Sequence, residues 1–347
     1  MSEYTVSRIY PGDKKSLTQV DALLHQEGII RDGHLDYICA MRDENDRIIA
    51  TGSCFGPTLR CFAVSARHQG EGLLNEIVTH LMEVQFARGN SHLFLYTKIA
   101  SAKFFESLGF YEIARVDGQL VFMENRKKGF AAFLENLEKT KRPGCSAALV
   151  MNANPFTLGH LYLVETAAKN CDTLHLFVLS EDASLVPFAV RKQLVRQGTA
   201  HIPNVVLHDS GPYIISNATF PSYFLKDETA VIEGHARLDL AVFAKIAQAL
   251  NITARYVGEE PTSQVTGLYN TIMARELPKQ GITCHIIPRL QSQGKAISAS
   301  TVRVALQNGD LETLKTLVPP TTYAYFTSPQ AAPVLEKIQR AGNVVHY

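Results

Sequence analysis

Residues Cys145–His160, CSAALVMNANPFTLGH, decide the fold of the second half of the chain. The apolar run SAALVM is typical of a strand that is buried on both faces, and the turn after it leads into a helix. Helical stretches then alternate with further apolar runs: TLHLFVLS, NVVLHDS, TARYVGEE and TCHIIPRL. Strands that alternate with helices predict a parallel sheet with right-handed crossovers. We therefore expect a Rossmann-like α/β domain here.

The chain before this stretch mixes strands and helices in another order. LDYICAMRDENDRIIATGSCF indicates a hairpin, because two apolar runs flank the polar turn Asp43–Arg47. Apolar residues recur at helical spacing over Gly70–Ala87. Pro143 and Gly144 break the chain after the amphipathic segment KKGFAAFLENLEKTKR. We predict an α+β domain over residues 1–130, a connecting helix or linker over residues 131–144, and the α/β domain over residues 145–347.

Composition narrows the class of protein. The 347 residues include 34 Lys and Arg against 33 Asp and Glu, and neither half has the basic surplus typical of nucleic-acid or anionic-membrane binding. No apolar run reaches the ~20 residues of a membrane span, and the first residues have no apolar signal core. The six cysteines form no CxxC pair, which favours reduced thiols. We expect a cytoplasmic protein that binds neither nucleic acid nor membranes.

The turn Asn154–His160 is the first candidate site. It follows the first parallel strand, and ligands bind at the carboxyl ends of such strands. A helix start offers free N–H groups to phosphate, and Gly159 would let a nucleotide approach the backbone closely. Thr157 and His160 would face the same way and donate to a phosphate under attack. The same residues would also suit an ordinary capped helix with a half-exposed histidine.

A second helix start follows at Ile297–Arg303, ISASTVR. Its Ser and Thr hydroxyls would cap the helix and reach phosphate oxygens, and Arg303 would add a bidentate cation one turn later. The same residues would also suit an ordinary helix cap followed by a solvated arginine. The histidines and cysteines show no spacing typical of metal ligands, so we expect no protein metal site.

Together TLGH and ISASTVR resemble the T-x-G-H and I-S-S-T-x-x-R motifs of the nucleotidyltransferase superfamily. The resemblance implies a HUP-type nucleotidyltransferase domain with His160, Thr157 and Arg303 as catalytic residues. The ATP-binding residues would be Asn154, Phe156, Gly159, Ser298, Ser300, Thr301 and Arg191.

Three other features of this domain have two interpretations each. Arg191 follows a helix start and either reaches phosphates or is solvated. Glu259, in the acidic turn after the strand ARYV, would contact a ribose, a magnesium shell or a second substrate, or form a polar turn. The aromatic-rich segment Ser210–Leu225 is either a substrate loop or a buried connection.

A glycine-rich turn, RHQGEG at Arg67–Gly72, opens the long helix of the first domain. Glycines at such a turn expose successive N–H groups to a pyrophosphate. R-x-x-G-x-G resembles the acyl-CoA loop of the GNAT acetyltransferases, and ASAKFFESLGFYEIA resembles their second motif. The resemblance implies a GNAT-like mixed sheet and a CoA-type arm bound by Arg67, Gln69, Gly70 and Gly72.

A general base for acetyl transfer is less evident. Glu106, Tyr111 and His68 are candidates by residue type only, and Glu71 would compete with a bound phosphate at the helix start. A catalytic domain and a domain that only binds the arm both remain open.

The whole chain resembles the citrate lyase ligase family, through NANPFTLGH, VLSEDASLVPFAVR, NATFPSYFLKD, RYVGEEPTSQVTGLYN and ISASTVR. The resemblance implies an acid–thiol ligase that forms AMP. ATP and acetate would give acetyl-adenylate and diphosphate. The acetyl group would then pass to the phosphoribosyl-dephospho-CoA thiol on the acyl carrier of citrate lyase, which activates that enzyme. Mg²⁺ would be held mainly by the triphosphate.

Two other functions remain open. The first is an adenylyltransferase that makes a dinucleotide from a phosphorylated substrate. The second is an acetyl-CoA-dependent acetyltransferase whose second domain senses adenine nucleotide.

Overall fold

A computed structural model describes residues 4–181, 184–214, 228–260, 264–292 and 294–344, apart from the side chains of residues 228–231 and 264–266. The chain divides into two compact units. The first consists of the described residues of Met1–Ala132 and Thr219–Ala241, and the second of those of Phe133–Ala218 and Val242–Tyr347. The domain bounds at residues 130 and 144 stay a prediction. Residues 215–225 of the predicted substrate loop lie outside the described residues.

The first unit is built on a seven-stranded mixed sheet. Its strands are β1 (Ser7–Ile9), β2 (Tyr37–Arg42), β3 (Ile48–Phe55), β4 (Thr58–Val64), β5 (Phe94–Thr97), β6 (Tyr111–Val116) and β7 (Leu120–Glu124). Their spatial order is β1-β2-β3-β4-β5-β7-β6, and β4 and β5 are its parallel pair. The predicted hairpin is confirmed as β2 and β3, which pair antiparallel.

The helices α1 (Lys14–Gln26), α2 (Leu73–Ala87) and α3 (Ile99–Ser107) accompany this sheet along the chain, and α4 (Gly129–Glu138) begins in the first unit and continues into the second. Helix α2 packs on β3, where Gly52 leaves room for Ile77: a Cβ at Gly52 would lie 2.5 Å from the Ile77 side chain. The helix begins at Leu73 instead of the predicted Gly70, because Gly70 and Gly72 have φ angles of +88° and +81°, which a helix does not use.

The second unit contains a five-stranded parallel sheet, as the alternating pattern predicts. Its strands are β8 (Ser146–Met151), β9 (Thr173–Val178), β10 (Val205–Asp209), β11 (Ile252–Gly258) and β12 (Thr283–Ile287), in the order β10-β9-β8-β11-β12. Strand order reverses between β8 and β11, and such a switch point opens a crevice at the carboxyl ends of the strands.

The structure also describes α-helices and a small hairpin in this unit. They are α5 (Leu158–Ala168), α6 (Phe188–Gly198), α7 (Glu228–Leu250, which begins in the first unit), α8 (Gln264–Glu276), β13 (Gln291–Ser292), β14 (Lys295–Ala296), α9 (Ala299–Asn308), α10 (Leu311–Leu317), α11 (Pro320–Phe326) and α12 (Ala332–Arg340). Apolar residues of β8 and β9 and of α5, α6 and α9 form one buried core. Among the described residues, no helix is long and apolar enough to cross a membrane.

Candidate active site

The turn after β8 holds Thr157 and His160 in a reciprocal arrangement. Thr157 caps α5, and its Oγ accepts a hydrogen bond from the backbone N–H of His160 at 3.2 Å. The Nδ1 atom of His160 in turn accepts the backbone N–H of Thr157 at 3.1 Å. Each residue therefore satisfies an N–H group that a helix start leaves without a partner, and the two side chains are fixed together.

This hydrogen bond also determines where His160 carries its proton. A ring nitrogen that accepts a backbone N–H has no proton of its own, so the neutral imidazole is protonated on Nε2. Burial and the positive charge of Arg289 lower the pKa of His160 to about 4. At neutral pH the ring is therefore uncharged, and Nε2 is its hydrogen-bond donor.

Asn154 and Phe156, both predicted to contact ATP, have buried side chains. The Asn154 carboxamide oxygen accepts the backbone N–H of Val186 at 3.0 Å. The Phe156 ring is fully buried and packs parallel to the imidazole of His160, 5.9 Å away. A Cβ at Gly198 would lie 2.5 Å from the Phe156 ring, so α6 comes close to it there. In the structure both side chains lie in the interior and stabilise the turn through these contacts.

The second helix start carries three hydroxyl groups close together. Ser298 caps α9 by accepting the backbone N–H of Thr301 at 3.1 Å. Its Oγ lies 2.8 Å from the hydroxyl oxygens of both Ser300 and Thr301. The predicted cap is therefore confirmed, and it gathers hydroxyl groups at a helix N-terminus, where an anion is favoured.

The two helix starts touch each other at Gly159. A Cβ on Gly159 would lie 2.9 Å from the carbonyl oxygen of Ile297, the residue just before Ser298. A side chain at this position would separate the two segments. The glycine therefore brings TLGH and ISASTVR into direct contact.

Arg303 links the same two segments from the interior. Its Nη1 donates to the carbonyl of Asn154 at 2.6 Å, and its Nε donates to the carbonyl of Val344 at 2.5 Å. The side chain is buried, and this burial lowers the pKa of Arg303 to about 10. In this arrangement the guanidinium holds backbone carbonyls, which favours a structural role over the predicted contact with phosphate.

Arg191 is also buried and bonded to the protein's own backbone, contrary to the expectation that it reaches phosphate or is solvated. Its guanidinium is fully buried and donates to the carbonyl oxygens of Asn152, Leu179, Glu181 and Val186. These carbonyls belong to the segments that follow β8 and β9. Arg191 therefore braces the carboxyl ends of two neighbouring strands beside the candidate site.

Sequence reasoning missed Arg289, which follows β12. Its Nε donates to the carbonyl of Glu259 at 2.8 Å, and its Nη2 pairs with the carboxylate of Glu260. The predicted site residue Glu259 thus contributes its backbone here, and its side chain is exposed. Arg289 comes two residues after the end of β12, at the carboxyl edge of the sheet, and this position was the signal in the sequence that could have revealed it.

The glycine-rich turn of the first unit is exposed. Arg67, Gln69, Gly70 and Gly72 are all accessible, and a Cβ at either glycine would meet no atom within 4 Å. The carboxylate of Glu71 lies 3.2 Å from Nδ1 of His68. Strands β4 and β5 pair through Thr58–Phe94 and Leu59–Leu95, and their later residues are not paired with each other.

The described residues contain no group of three or more His, Cys, Asp or Glu that could hold a metal ion. Their cysteines are all free thiols.

The first unit is a mixed-sheet domain with a glycine-rich turn, and the second is an α/β domain in which two helix starts are in contact beside a parallel sheet. Residues 5–110 match the acetyltransferase (GNAT) family, and residues 146–326 match the citrate lyase ligase C-terminal domain. The chain belongs to the citrate lyase ligase family and is a ligase. It is 38% identical over 327 residues to the citrate (pro-3S)-lyase ligase of Escherichia coli (strain K12), and the matched stretch covers 92% of each of the two chains. It is 37% identical to the Haemophilus influenzae enzyme of the same name over 90% of this chain and 96% of that one.

Solved structures resemble single parts of the chain. A putative nicotinate-nucleotide adenylyltransferase from Vibrio parahaemolyticus covers 57% of this chain and 98% of its own, at 16% identity and a TM-score of 0.38. A putative acyl-CoA N-acyltransferase from Klebsiella pneumoniae covers 35% of this chain and 96% of its own, at 20% identity and a TM-score of 0.31.

Proposed function

We propose that this ligase activates acetate with ATP and passes the acetyl group to the thiol of the prosthetic arm on the citrate lyase acyl carrier. Membership of the family supports the overall reaction. The observation that carries the first step is the contact between Gly159 and Ile297, which joins two phosphate-type helix starts at a switch point of the sheet.

The first step needs donors and no base. Acetate is already an anion at neutral pH, so its oxygen attacks the α-phosphorus directly. A bond forms between that oxygen and phosphorus, the bond to the bridging oxygen breaks, and diphosphate leaves with the electron pair. His160 offers a neutral Nε2–H donor, and Ser300 and Thr301 offer hydroxyls, to stabilise the charge that builds up on phosphate.

Mg²⁺ would bind at this site mainly to the phosphate oxygens of ATP. Magnesium usually takes few protein carboxylates and keeps phosphate oxygens and water as ligands. Two acidic residues, Glu259 and Glu260, lie next to Arg289. Their carboxylates would order that water shell. The ion would neutralise charge on the triphosphate.

The buried arginines have positioning roles in this proposal. Arg303 fixes the Asn154 carbonyl before the TLGH turn, and Arg191 fixes the loop after β9. Both keep the helix starts in one geometry while substrates bind and leave.

We further propose that the first unit binds the carrier's arm, which is a CoA derivative. The open turn at Gly70 and Gly72, and the parts of β4 and β5 that do not pair with each other, suit a pyrophosphate and an extended pantetheine. His68 is paired with Glu71, so it is not offered as a general base, and the unit acts as a binding domain. The reaction would take place in the cytoplasm, where the free cysteines stay reduced.

ATP–diphosphate exchange tests the first step. We expect exchange in purified protein with Mg²⁺ that depends on acetate and is lost in His160→Ala. Dinucleotide formation from a phosphorylated substrate would favour the adenylyltransferase. Acetyl-CoA-dependent activity that survives in His160→Ala would favour the acetyltransferase. Absence of exchange even with the carrier present would contradict the proposal.

Carrier acetylation tests the second step. A folded Gly70→Glu, Gly72→Glu double variant should keep acetate-dependent exchange and lose acetylation of the carrier, because the new carboxylates repel the pyrophosphate of the arm. Gly118→Glu, at another turn glycine of this unit that has open space around it, is the control. Wild-type acetylation in the double variant would contradict arm binding at this turn.

A further inference from the structure

Arg289 differs from the two arginines that the sequence predicted for the site. Its side chain is 24% exposed, whereas Arg191 and Arg303 are buried. Nε is held by the Glu259 carbonyl and Nη2 by the Glu260 carboxylate. Within the described part of the chain, no residue accepts a hydrogen bond from Nη1. The guanidinium is therefore fixed through Nε and Nη2, and Nη1 can donate to another partner.

The position of Arg289 is next to both helix starts. The residue after it, Leu290, accepts the backbone N–H of Ile297 at 2.9 Å, and the carbonyl of Ile297 faces Gly159. The hairpin β13–β14 makes this short connection from β12 to Ser298. The charge of Arg289 also acts on His160, whose imidazole is therefore within its electrostatic range.

We propose that Arg289 is a further catalytic residue, which binds the phosphate chain of ATP through its Nη1 edge, and that Glu260 is the positioning residue that holds it. This inference rests on the proposed function. When the bond to the bridging oxygen breaks, negative charge moves onto the departing diphosphate. A fixed guanidinium with an open edge binds phosphate oxygens in a defined geometry and stabilises that charge.

Calorimetry can measure the affinity of the protein for two nucleotides, one with a phosphate chain and one without it. Comparing the two affinities separates a role of Arg289 in binding that chain from a general effect on the site. The probes are α,β-methylene-ATP with Mg²⁺, and AMP. Arg289→Gln should weaken the triphosphate analogue about 10- to 100-fold, as expected for loss of a charged hydrogen bond, and leave AMP affinity within about twofold. Arg289→Lys should recover part of the loss. Arg275→Gln is the matched control, because Arg275 also pairs with a glutamate, at the far end of α8.

Glu260→Gln tests the positioning role. It should weaken analogue binding less than Arg289→Gln does, and the double variant should be no worse than Arg289→Gln alone, since both changes act through one guanidinium. Additive losses would overturn the role of Glu260. A histidine titration by NMR adds an independent readout: Arg289→Gln should raise the pKa of His160, and an unchanged value would contradict the proximity of the two groups.

Two results would overturn the role of Arg289 itself: analogue affinity equal to the wild type in Arg289→Gln, or an equal loss for AMP and the analogue. Failure of the proposed reaction looks different. Selective loss of analogue binding in Arg289→Gln, in a protein whose wild type shows no acetate-dependent exchange, would keep the phosphate site and overturn acetate activation. A wild-type protein that binds neither nucleotide would overturn both.

Discussion

The guanidinium of Arg303 donates to the carbonyl of Asn154 at 2.6 Å, across 149 positions of the sequence. Asn154 stands three residues before Thr157, and Arg303 stands two residues after Thr301 in the other motif. One buried side chain thus ties together the segments that carry the two helix starts. The same guanidinium also holds the carbonyl of Val344 near the end of the described chain.

Arg303→Met should destabilise the second unit. The Asn154 and Val344 carbonyls would lose a buried donor, at a cost of roughly 1–3 kcal/mol each. Thermal unfolding should therefore begin several degrees lower, since about 1 kcal/mol shifts Tm by ~2–4 °C in a domain of this size. Arg303→Lys should be intermediate, because an ammonium lacks the planar fork that spans two acceptors.

Arg196→Met is the control for this change, because Arg196 is exposed on α6. Unchanged thermal stability in Arg303→Met, together with loss of triphosphate binding, would restore Arg303 to the phosphate-contacting role that the sequence predicted.

These arginines show where sequence reasoning succeeds and where it stops. Alternating apolar runs and helical spacing are local signals, and they predicted β8 to β12 and the helix α2. The caps at Thr157 and Ser298 are also local, since each acts on an N–H three residues away. The partners of Arg303 are carbonyls distant in the chain, so no nearby residue type signals its burial.

The same limit explains Arg289 and Arg191. Arg191 follows a proline at a helix start, which suggested a solvent or phosphate contact. The carbonyls of Asn152, Leu179, Glu181 and Val186 that accept from it lie after two strands, and a carbonyl is present at every position of a chain. The position of Arg289 after β12 was readable in the sequence, but its partners Glu259 and Glu260 lie 30 and 29 positions away and come beside it only through the pairing of β11 and β12.

The imidazole of His160 should remain neutral across the physiological range. Its pKa is lowered to about 4, so little of it is protonated above pH 6. NMR titration of the wild type, with the resonance assigned by its absence in His160→Asn, should show no inflection for this ring near pH 6.5. An inflection there would mean that Nδ1 or Nε2 gains a proton in the working range, and the donor assigned to Nε2 would need revision.

A buried histidine pair should make the protein sensitive to acid. Nδ1 of His175 and Nε2 of His208 lie 2.9 Å apart on neighbouring strands, and burial lowers the pKa of each to about 4. Both values lie below the ~6.5 of an unfolded histidine, so the unfolded chain binds more protons between these limits. The free energy of unfolding should therefore be retained above pH ~6.5 and fall as the pH drops toward about 4.

Urea unfolding at a series of pH values measures this effect. A His175→Asn, His208→Asn double variant should show a shallower fall over the same range, and His201→Asn, at an exposed histidine of this unit, should match the wild type. Identical slopes in the wild type and the double variant would assign the acid sensitivity to other groups, among them His160.

Gly159→Ala should separate the two helix starts. The added Cβ would lie 2.9 Å from the Ile297 carbonyl oxygen, and neither backbone segment gives way freely, since Leu290 and Thr157 hold them. We expect about 1–3 kcal/mol of destabilisation from overpacking and a larger loss of exchange, because donors on both segments must converge on one phosphate. Gly342→Ala is the control: a Cβ at this exposed glycine of the same unit would meet no atom within 4 Å. Exchange at wild-type level in folded Gly159→Ala would mean that the close contact of the two motifs is not required, and that each binds its part of the nucleotide independently.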